Sequence, residues 1–372
     1  MDPFAKDVVV DDEVEEVAEL RRDSSRHQAD WRTETREAYE FVAGEQWDDE
    51  TRASLEAQQR PCVTFNRIGP MIDSVVGYEI NNRRETKYKP RTMQDREVNE
   101  IFSETAKWVR QETDAEDEES DAFRDNVICG MGWMETRVDF EAYAEGKIVM
   151  ERVSPLEMRW DPAARKNNLA DAKWLMREKW WSLDDINDKW PGKDITPTED
   201  DVSDTMATDE HDATEAWKYE NSTSWWDPNE GKALVIQYQW CETETYYEVA
   251  DPVSGRIVKF SEERFNRIKD RITMPSRKAS RYRYYQRIVC GATMLEENVA
   301  PIGTGFSFHC MTGKRDEEAG LWYGIVRSMR DPQRWANSFF STAMHAMMVN
   351  AKGGVMVESG AVEDFEQFQD RW

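Results

Sequence analysis

The sequence is poor in the residues and spacings that carry chemistry. Its five cysteines, Cys62, Cys129, Cys241, Cys290 and Cys310, are scattered and form no CxxC pair. An odd number at wide spacing argues against a disulfide framework and a zinc cluster, and leaves buried free thiols as the reading. The four histidines, at positions 27, 211, 309 and 345, form no HExxH or other i, i+4 metal-ligand pair. His211 stands in an acidic stretch and reads as a solvated residue. There is no P-loop and no GxSxG, and Gly130 and Gly132 begin a GxG that is never completed into a dinucleotide fingerprint. No apolar run approaches the ~20 residues needed to cross a bilayer. The first residues, with Asp2, Lys6, Asp7 and then a run of acids, lack the basic and apolar regions of a signal peptide. No membrane partner is therefore expected, and synthesis and function in the cytoplasm, or assembly there, are.

Positive charge is also short. Lys and Arg number 49 against 75 Asp and Glu, a formal net charge of −26. Affinity for nucleic acid comes mainly from Lys and Arg neutralising phosphates, so the chain as a whole repels DNA. Solubility explains such a charge, and so does a surface that sits near DNA without holding it. One acid pair, Asp184-Asp185, has the composition of a Mg2+ site for phosphodiester chemistry. Ser182 ahead of Leu183-Asp184-Asp185 reads more simply as an N-cap with acids in the first helical turn, where they complement the helix dipole.

What the sequence does have is tryptophan and periodicity. The 16 Trp supply large contact areas, and 372 residues suit roughly two domains. Residues 1–23 are acidic and poor in large apolar groups, which reads as a mobile arm or short exposed helix. From His27 to Val42 a helical pattern places Trp31, Thr35, Ala38, Tyr39 and Val42 on one face and stops at Gly44. A second helix is predicted over 68–82, with an apolar stripe of Ile68, Met71, Ile72, Val75 and Val76. A third covers 96–111, with Val98, Ile101, Phe102, Thr105, Trp108 and Val109 inward, and continues into the charged Glu116–Glu119. A further helix around 122–129 stops at Gly130. The period then changes to strands at 133–140, 147–153 and 174–180, and again at 234–240, 245–249, 256–260, 284–290 and 293–295. Residues 195–215 hold eight acids and no Lys or Arg, a loosely held loop. Residues 264–287 invert the charge, with nine bases against the single acid Asp270. The last element is a helix from about Leu321 to Asn350. Phe340, Met344, Met347 and Met348 line one face of it, Ala336, Ser338, Ser341, Ala343 and Ala346 keep other faces thin, and Asp331-Pro332 predicts a kink or break.

A set of short strings runs through these elements in a fixed order. They are Phe41-Val42-Ala43-Gly44-Glu45-Gln46-Trp47, Arg60-Pro61-Cys62-Val63-Thr64-Phe65-Asn66-Arg67-Ile68 and Ile80-Asn81-Asn82-Arg83-Arg84. Then come Cys129-Gly130-Met131-Gly132-Trp133, Arg159-Trp160-Asp161-Pro162-Ala163-Ala164, Tyr323-Gly324-Ile325-Val326-Arg327 and Asp331-Pro332-Gln333-Arg334-Trp335-Ala336-Asn337. Taken together, from residue 41 to residue 337, they resemble the portal proteins of short-tailed, podovirus-type double-stranded DNA bacteriophages. None is a catalytic motif, so the resemblance implies architecture and assembly rather than an enzyme.

The resemblance implies an α+β portal fold: an acidic arm over 1–23, a mixed α/β wing over 24–260, long stem helices and a small α/β clip over 261–350, and the start of a returning wing segment over 351–372. Portals of this type are usually longer, so the crown and C-terminal barrel are expected to be absent from this chain. Further implied is a homo-oligomeric ring of about twelve copies at the unique capsid vertex of the virion. It would contact the major capsid protein and dock the large subunit of the packaging terminase and then the tail adaptor protein. Double-stranded DNA would pass along its axis in packaging and ejection, and no cofactor or metal is implied. Arg327, Arg330, Arg334 and Lys352 are candidates for a ring of channel cations that guides DNA or brakes its slippage, though ordinary helix-surface charge explains them as well. Arg277, Lys278, Arg281, Arg283 and Arg287 are candidates for a partner-facing clip surface meeting an acidic partner. The rival readings are a head-to-tail adaptor or other tail structural protein, and a Mg2+-dependent phosphotransfer enzyme.

Overall fold

A computed structural model describes residues 12–85, 87–90, 96–140, 143–193, 195, 225–250, 257–269 and 276–351. Four hydrophobic clusters organise them, and one helix touches three. Helix α1 (Asp12–Ala43) has 32 residues and is therefore ~48 Å long. Its first turns pack Val14, Val17 and Leu20 on Met176, Leu234 and Ile236. Its middle sends Trp31 among Trp133, Trp160 and Trp322, and its end joins Ala38 and Phe41 to Ile68, Ile72, Val127 and Ile128. From Asp12 on, the acidic stretch expected to be a mobile arm or a short exposed helix is thus the start of this long helix, with Val14 and Val17 buried. Its scattered valines find an apolar sheet, while its acids face solvent and the bases of the sheet. Residues 1–11 lie outside the described residues.

Helix α2 (Asp49–Ala57) is capped by Asp48, whose side chain accepts from the Thr51 amide. Helix α3 (Ile68–Asn81) forms where predicted, but of its apolar stripe Ile68 and Ile72 are buried while Met71 and Val75 are exposed. Helices α4 (Arg96–Glu112) and α5 (Ala115–Cys129) are separate elements, because Asp114 takes a left-handed φ of 49° that breaks the run into Glu116–Glu119. The α4 face expected to point inward does not: Val98, Ile101, Phe102 and Trp108 are all more than half exposed.

All strand pairings are antiparallel. Strands β1 (Met131–Asp139), β2 (Lys147–Val153) and β10 (Phe308–Thr312) form a three-stranded sheet in the order β10–β1–β2. A seven-stranded sheet is built from β3 (Met158–Trp160), β4 (Trp174–Ser182), β5 (Trp226–Asp227), β6 (Lys232–Ala250), β7 (Ile257–Ser261), β8 (Ser276–Cys290) and β9 (Thr293–Val299). Its path is β3–β4–β6–β8–β9, with β5 and β7 also on β6. The remaining elements are α6 (Leu183–Lys189), α7 (Glu262–Ile268), the short pair β11 (Lys314–Arg315) and β12 (Trp322–Tyr323), and α8 (Val326–Ala351). The class is α+β.

Several boundaries differ from those predicted. The two strands expected at 234–240 and 245–249 are one, β6. Its edge partner changes midway, from β4 (Trp174↔Trp240) to β7 (Tyr246↔Ser261), while β8 pairs along it from Val235↔Cys290 to Val249↔Ser276. The boundary expected at residue 260 crosses this sheet, so the strands at 284–290 and 293–295 belong to the same layer as β4 and β6. The last helix starts at Val326 rather than Leu321, because Trp322–Tyr323 pairs as β12, and it runs through Pro332 without a break. Ser182 caps α6 as read, its hydroxyl accepting from the Asp185 amide at 3.1 Å. The acidic stretch 195–215 lies, Ile195 apart, outside the described residues.

Polar anchors fasten α1 to the large sheet. Gln28 Nε2 donates to the Trp160 carbonyl at 3.0 Å, and Arg32 donates to the Met158 and Leu156 carbonyls. Glu178 of β4 accepts from Arg21 (2.8 Å) and from the buried Arg159 (2.5 Å). Burial alone would push this carboxyl up, but Arg21, Arg159 and Arg32 outweigh it and hold Glu178 at about 2. Arg287 of β8 is buried rather than partner-facing: it lies 4.7 Å from the Trp240 ring and pairs with Glu13 and Glu16 of α1 and with Glu297.

A carboxyl whose pKa is lowered by folding stabilises the fold above its ordinary pKa and loses that contribution as pH falls through the lowered value. Wild-type stability should therefore drop from about pH 4.5 towards pH 2. Glu178→Gln leaves Arg159 buried without its carboxylate and should destabilise by roughly 3–5 kcal/mol near neutral pH, with a flatter acid limb. Urea unfolding across that range measures both, and a variant as stable as the wild type contradicts the anchor.

Candidate functional site: the root of the last helix

Pro61 starts an extended segment that runs to the first turn of α3, and the segment lies along α8. Its backbone is read residue by residue by three α8 side chains one turn apart. The Val63 amide donates to Ser341 Oγ at 3.0 Å and the Phe65 amide donates to Asn337 Oδ1 at 3.0 Å, while Gln333 Nε2 donates to the Phe65 carbonyl at 2.7 Å. Gln333, Asn337 and Ser341 are all buried. The spacing suits the task, since i, i+4 steps on a helix rise ~6 Å and alternate residues of an extended chain advance ~6.6 Å.

The same amides reach the ends of two other helices. Asn337 Nδ2 donates to Gln46 Oε1 at 2.7 Å, and Gln46 Nε2 donates to the Phe41 carbonyl (2.9 Å) and to Asn66 Oδ1 (3.0 Å). Asn66 Nδ2 donates to the Val42 carbonyl at 2.8 Å, and its Oδ1 also accepts from the Ile68 and Gly69 amides that open α3. The network ties the end of α1, the start of α3 and the first half of α8 into one polar clasp. Buried polar groups cost free energy unless paired, so a network this connected specifies one arrangement.

Five of the seven strings singled out in the sequence converge here and in a second junction beside it. Residues 41–47, 60–68 and 331–337 make the clasp. Gly130, which ends α5 at a φ of 88°, and Gly324 allow the second contact. A Cβ on Gly130 would lie 2.3 Å from the Tyr323 backbone, and one on Gly324 would lie 2.2 Å from the Ile128 carbonyl oxygen. The Ile325 amide then donates to the Val127 carbonyl at 2.9 Å, setting the direction in which α8 leaves. Trp160 of the fifth string packs edge-on against Trp31 at 5.0 Å.

Beyond Ser341 the helix has no covered side. From Thr342 to Asn350 no residue is buried, although Met344, Met347, Met348 and Val349 are apolar and 40–65% exposed. Phe340, on the same predicted face, is 45% exposed.

The candidate cations fall into three groups. Arg327 forms a two-pronged ion pair with Glu34 of α1 and a second pair with Asp316 at 3.1 Å, and it lies over the Tyr323 ring. The Glu34 hydrogen bonds raise its pKa further. Arg330 pairs with Glu37 of α1 at 2.5 Å. Arg334 makes no ion pair among the described residues and lies 5.5 Å from the Phe41 ring; Lys352 is outside them. In the basic run, Arg281 and Arg283 share Glu244, Lys278 pairs with Glu262, and Arg277 stands opposite Glu248 in the β6–β8 register. These four are on the outer end of β8, whereas Arg287 is buried. Burial pushes the Cys129 and Cys290 thiols up to about 12, which leaves them unreactive. No group of three or more His, Cys, Asp or Glu among the described residues could hold a metal ion, and no described helix is long and apolar enough to cross a membrane.

Sequence reasoning picked out the charges of α8 and passed over its amides. Their signal is present in retrospect: Gln333, Asn337 and Ser341 repeat at i, i+4 and i+8, a polar stripe on a helix whose other large residues are mostly apolar.

A body locked by buried amides, carrying a helix with an uncovered apolar surface, is built for assembly. A family model described as Phage P22-like portal protein matches residues 18–372, and no curated protein matches the chain. The chain belongs to the P22-like portal protein family: it is a portal subunit of the bacteriophage capsid vertex and a structural part of the head-tail connector. The family is structural rather than enzymatic, and its members assemble as rings with capsid, terminase and tail partners.

Asn337→Ala leaves the Phe65 N–H and Gln46 Oε1 without their partner and should destabilise by roughly 2–3 kcal/mol. The exposed neighbour change Ser338→Ala should stay within about 0.5 kcal/mol. Chemical denaturation of the two variants beside the wild type measures the difference, and equal stabilities contradict the clasp.

Proposed function

We propose that about twelve copies of this chain close a ring around double-stranded DNA, with α8 as the stem helix nearest the axis and the α+β body as the wing. The observation that carries this reading is the stretch of α8 from Thr342 to Asn350, in which no residue is buried among the described residues while a row of methionines lies exposed. In a cyclic ring each α8 lies beside two others, so both sides of the helix are covered at once.

Charge supports the conduit role. A channel should not bind what it conducts, and a net charge of −26 keeps DNA from adsorbing. Arg327 and Arg330, matched by Glu34 and Glu37, hold α8 to α1; Arg334 and Lys352 are left as candidates for a cation ring facing DNA. The outer end of β8, with Arg277, Lys278, Arg281 and Arg283, is the candidate surface for the terminase large subunit during packaging and for the tail adaptor afterwards. The major capsid protein would surround the ring at the vertex.

Negative-stain imaging and single-particle mass measurement of the purified full chain test the ring. The expected result is closed rings of about twelve copies with a central hole. A monodisperse monomer at assembly concentrations overturns the reading.

A further inference from the structure

Helix α4 carries its polarity in reverse. Its less exposed side holds Asn99, Ser103, Ala106 and Arg110, the last in a two-pronged ion pair with Glu119 of α5 at 2.5 and 2.6 Å. Its outer side holds Val98, Ile101, Phe102 and Trp108, each 51–65% exposed. Val98 and Phe102 are one turn apart, and Ile101 and Trp108 two, so the four form one continuous stripe. A helix that turns large apolar residues outward and small polar ones inward has its partner elsewhere.

The charges around the stripe are of one sign. Lys107 and Arg110 are spent on Glu85 and Glu119, whereas Glu97, Glu100 and Glu104 make no ion pair among the described residues. Two α4 stripes face to face would set these carboxylates against each other. An acidic rim needs a basic one, and a chain of this net charge has few. The outer end of β8 has Lys278, Arg281 and Arg283 already matched by Glu262 and Glu244.

The root of α8 is different. Phe65, Phe339 and Phe340 form an exposed aromatic patch, with ring centroids 5.5 Å apart for Phe65–Phe340 and 5.8 Å for Phe339–Phe340, and Trp335 stands one turn from Phe339. Beside it is Arg67, in no ion pair among the described residues and 5.0 Å from the Phe65 ring. This patch is apolar with an unspent cation at its edge, as α4 is apolar with carboxylates at its own.

We infer that the α4 stripe of one copy docks on the Phe65–Phe339–Phe340 patch of the next, with the acidic edge of Glu97, Glu100 and Glu104 meeting Arg67. A ring larger than a dimer requires this kind of contact, in which each chain offers two different surfaces and the contact repeats head to tail. Opposite rim charges set its register and exclude self-pairing of α4. The inference rests on the ring reading above.

Trp108→Glu and Phe339→Glu, both at exposed positions, separate the two halves of the contact, with circular dichroism and thermal unfolding confirming that each variant is folded. Single-particle mass measurement should show rings for the wild type and monomers for each variant alone. An equimolar mixture should give heterodimers and nothing larger, because only one of its two junction types keeps both surfaces intact. Rings from Trp108→Glu alone, or a mixture that stays monomeric, overturn the inference while leaving the ring reading standing. A wild type that never forms rings overturns both.

Discussion

The side chain of Asn337 is the point on which the arrangement turns. Its oxygen accepts from the Phe65 amide and its nitrogen donates to Gln46, so one residue of α8 reads the extended segment and the end of α1 together. Apolar packing is non-directional, and a helix held only by it can slide along its groove. Hydrogen bonds between the backbone at Val63 and Phe65 and the side chains of Gln333 (donating), Asn337 and Ser341 (both accepting) fix one register, because a helix displaced by part of a turn leaves buried amides unpaired. The clasp therefore sets where the uncovered half of α8 begins, and with it the geometry at which copies of the chain meet.

Charge does a second kind of positioning. The chain is strongly acidic, yet its arginines are largely engaged by its own carboxylates at the joints between elements. Glu178 takes Arg21 and Arg159 under α1, Glu34 and Glu37 take Arg327 and Arg330 between α1 and α8, and Glu13 and Glu16 take Arg287 at the start of α1. Every pair except Arg159–Glu178 joins α1 to a distant part of the sequence. The net charge left over is strongly negative, which suits a passage for DNA.

How much of this was legible in the sequence depended on whether the controlling interaction was local. Helix α3 and strand β2 form where their periodicities place them, and the Ser182 cap is written in four consecutive residues. Strand β6 was divided because Cys241-Glu242-Thr243-Glu244 has the composition of a turn; its glutamates are extended through pairing with Arg281 and Arg283, some forty residues away. The acidic start of α1 was read as an arm or short exposed helix because two valines among many acids make a weak stripe until a sheet lies beneath them. Periodicity located the apolar face of α4 but could not say that the described chain leaves most of it exposed, with only Tyr88 packed on Phe102. For α8 the charges drew attention, although Arg327 has its partner in Glu34, far back in the sequence, and the buried amides beside it carry the joint. The family strings were legible as a set; that five of the seven meet in two adjoining junctions is a fact of the fold.

Amide hydrogen exchange at Val63 and Phe65 tests the clasp most directly. Both amides lie outside any helix or strand, so side chains of α8 alone protect them. Exchange should be slow at both in the wild type, become fast at Phe65 in Asn337→Ala and at Val63 in Ser341→Ala, and stay unchanged in the strand residue Val153. Fast exchange at Val63 and Phe65 in the wild type, or protection that survives both substitutions, would contradict the account.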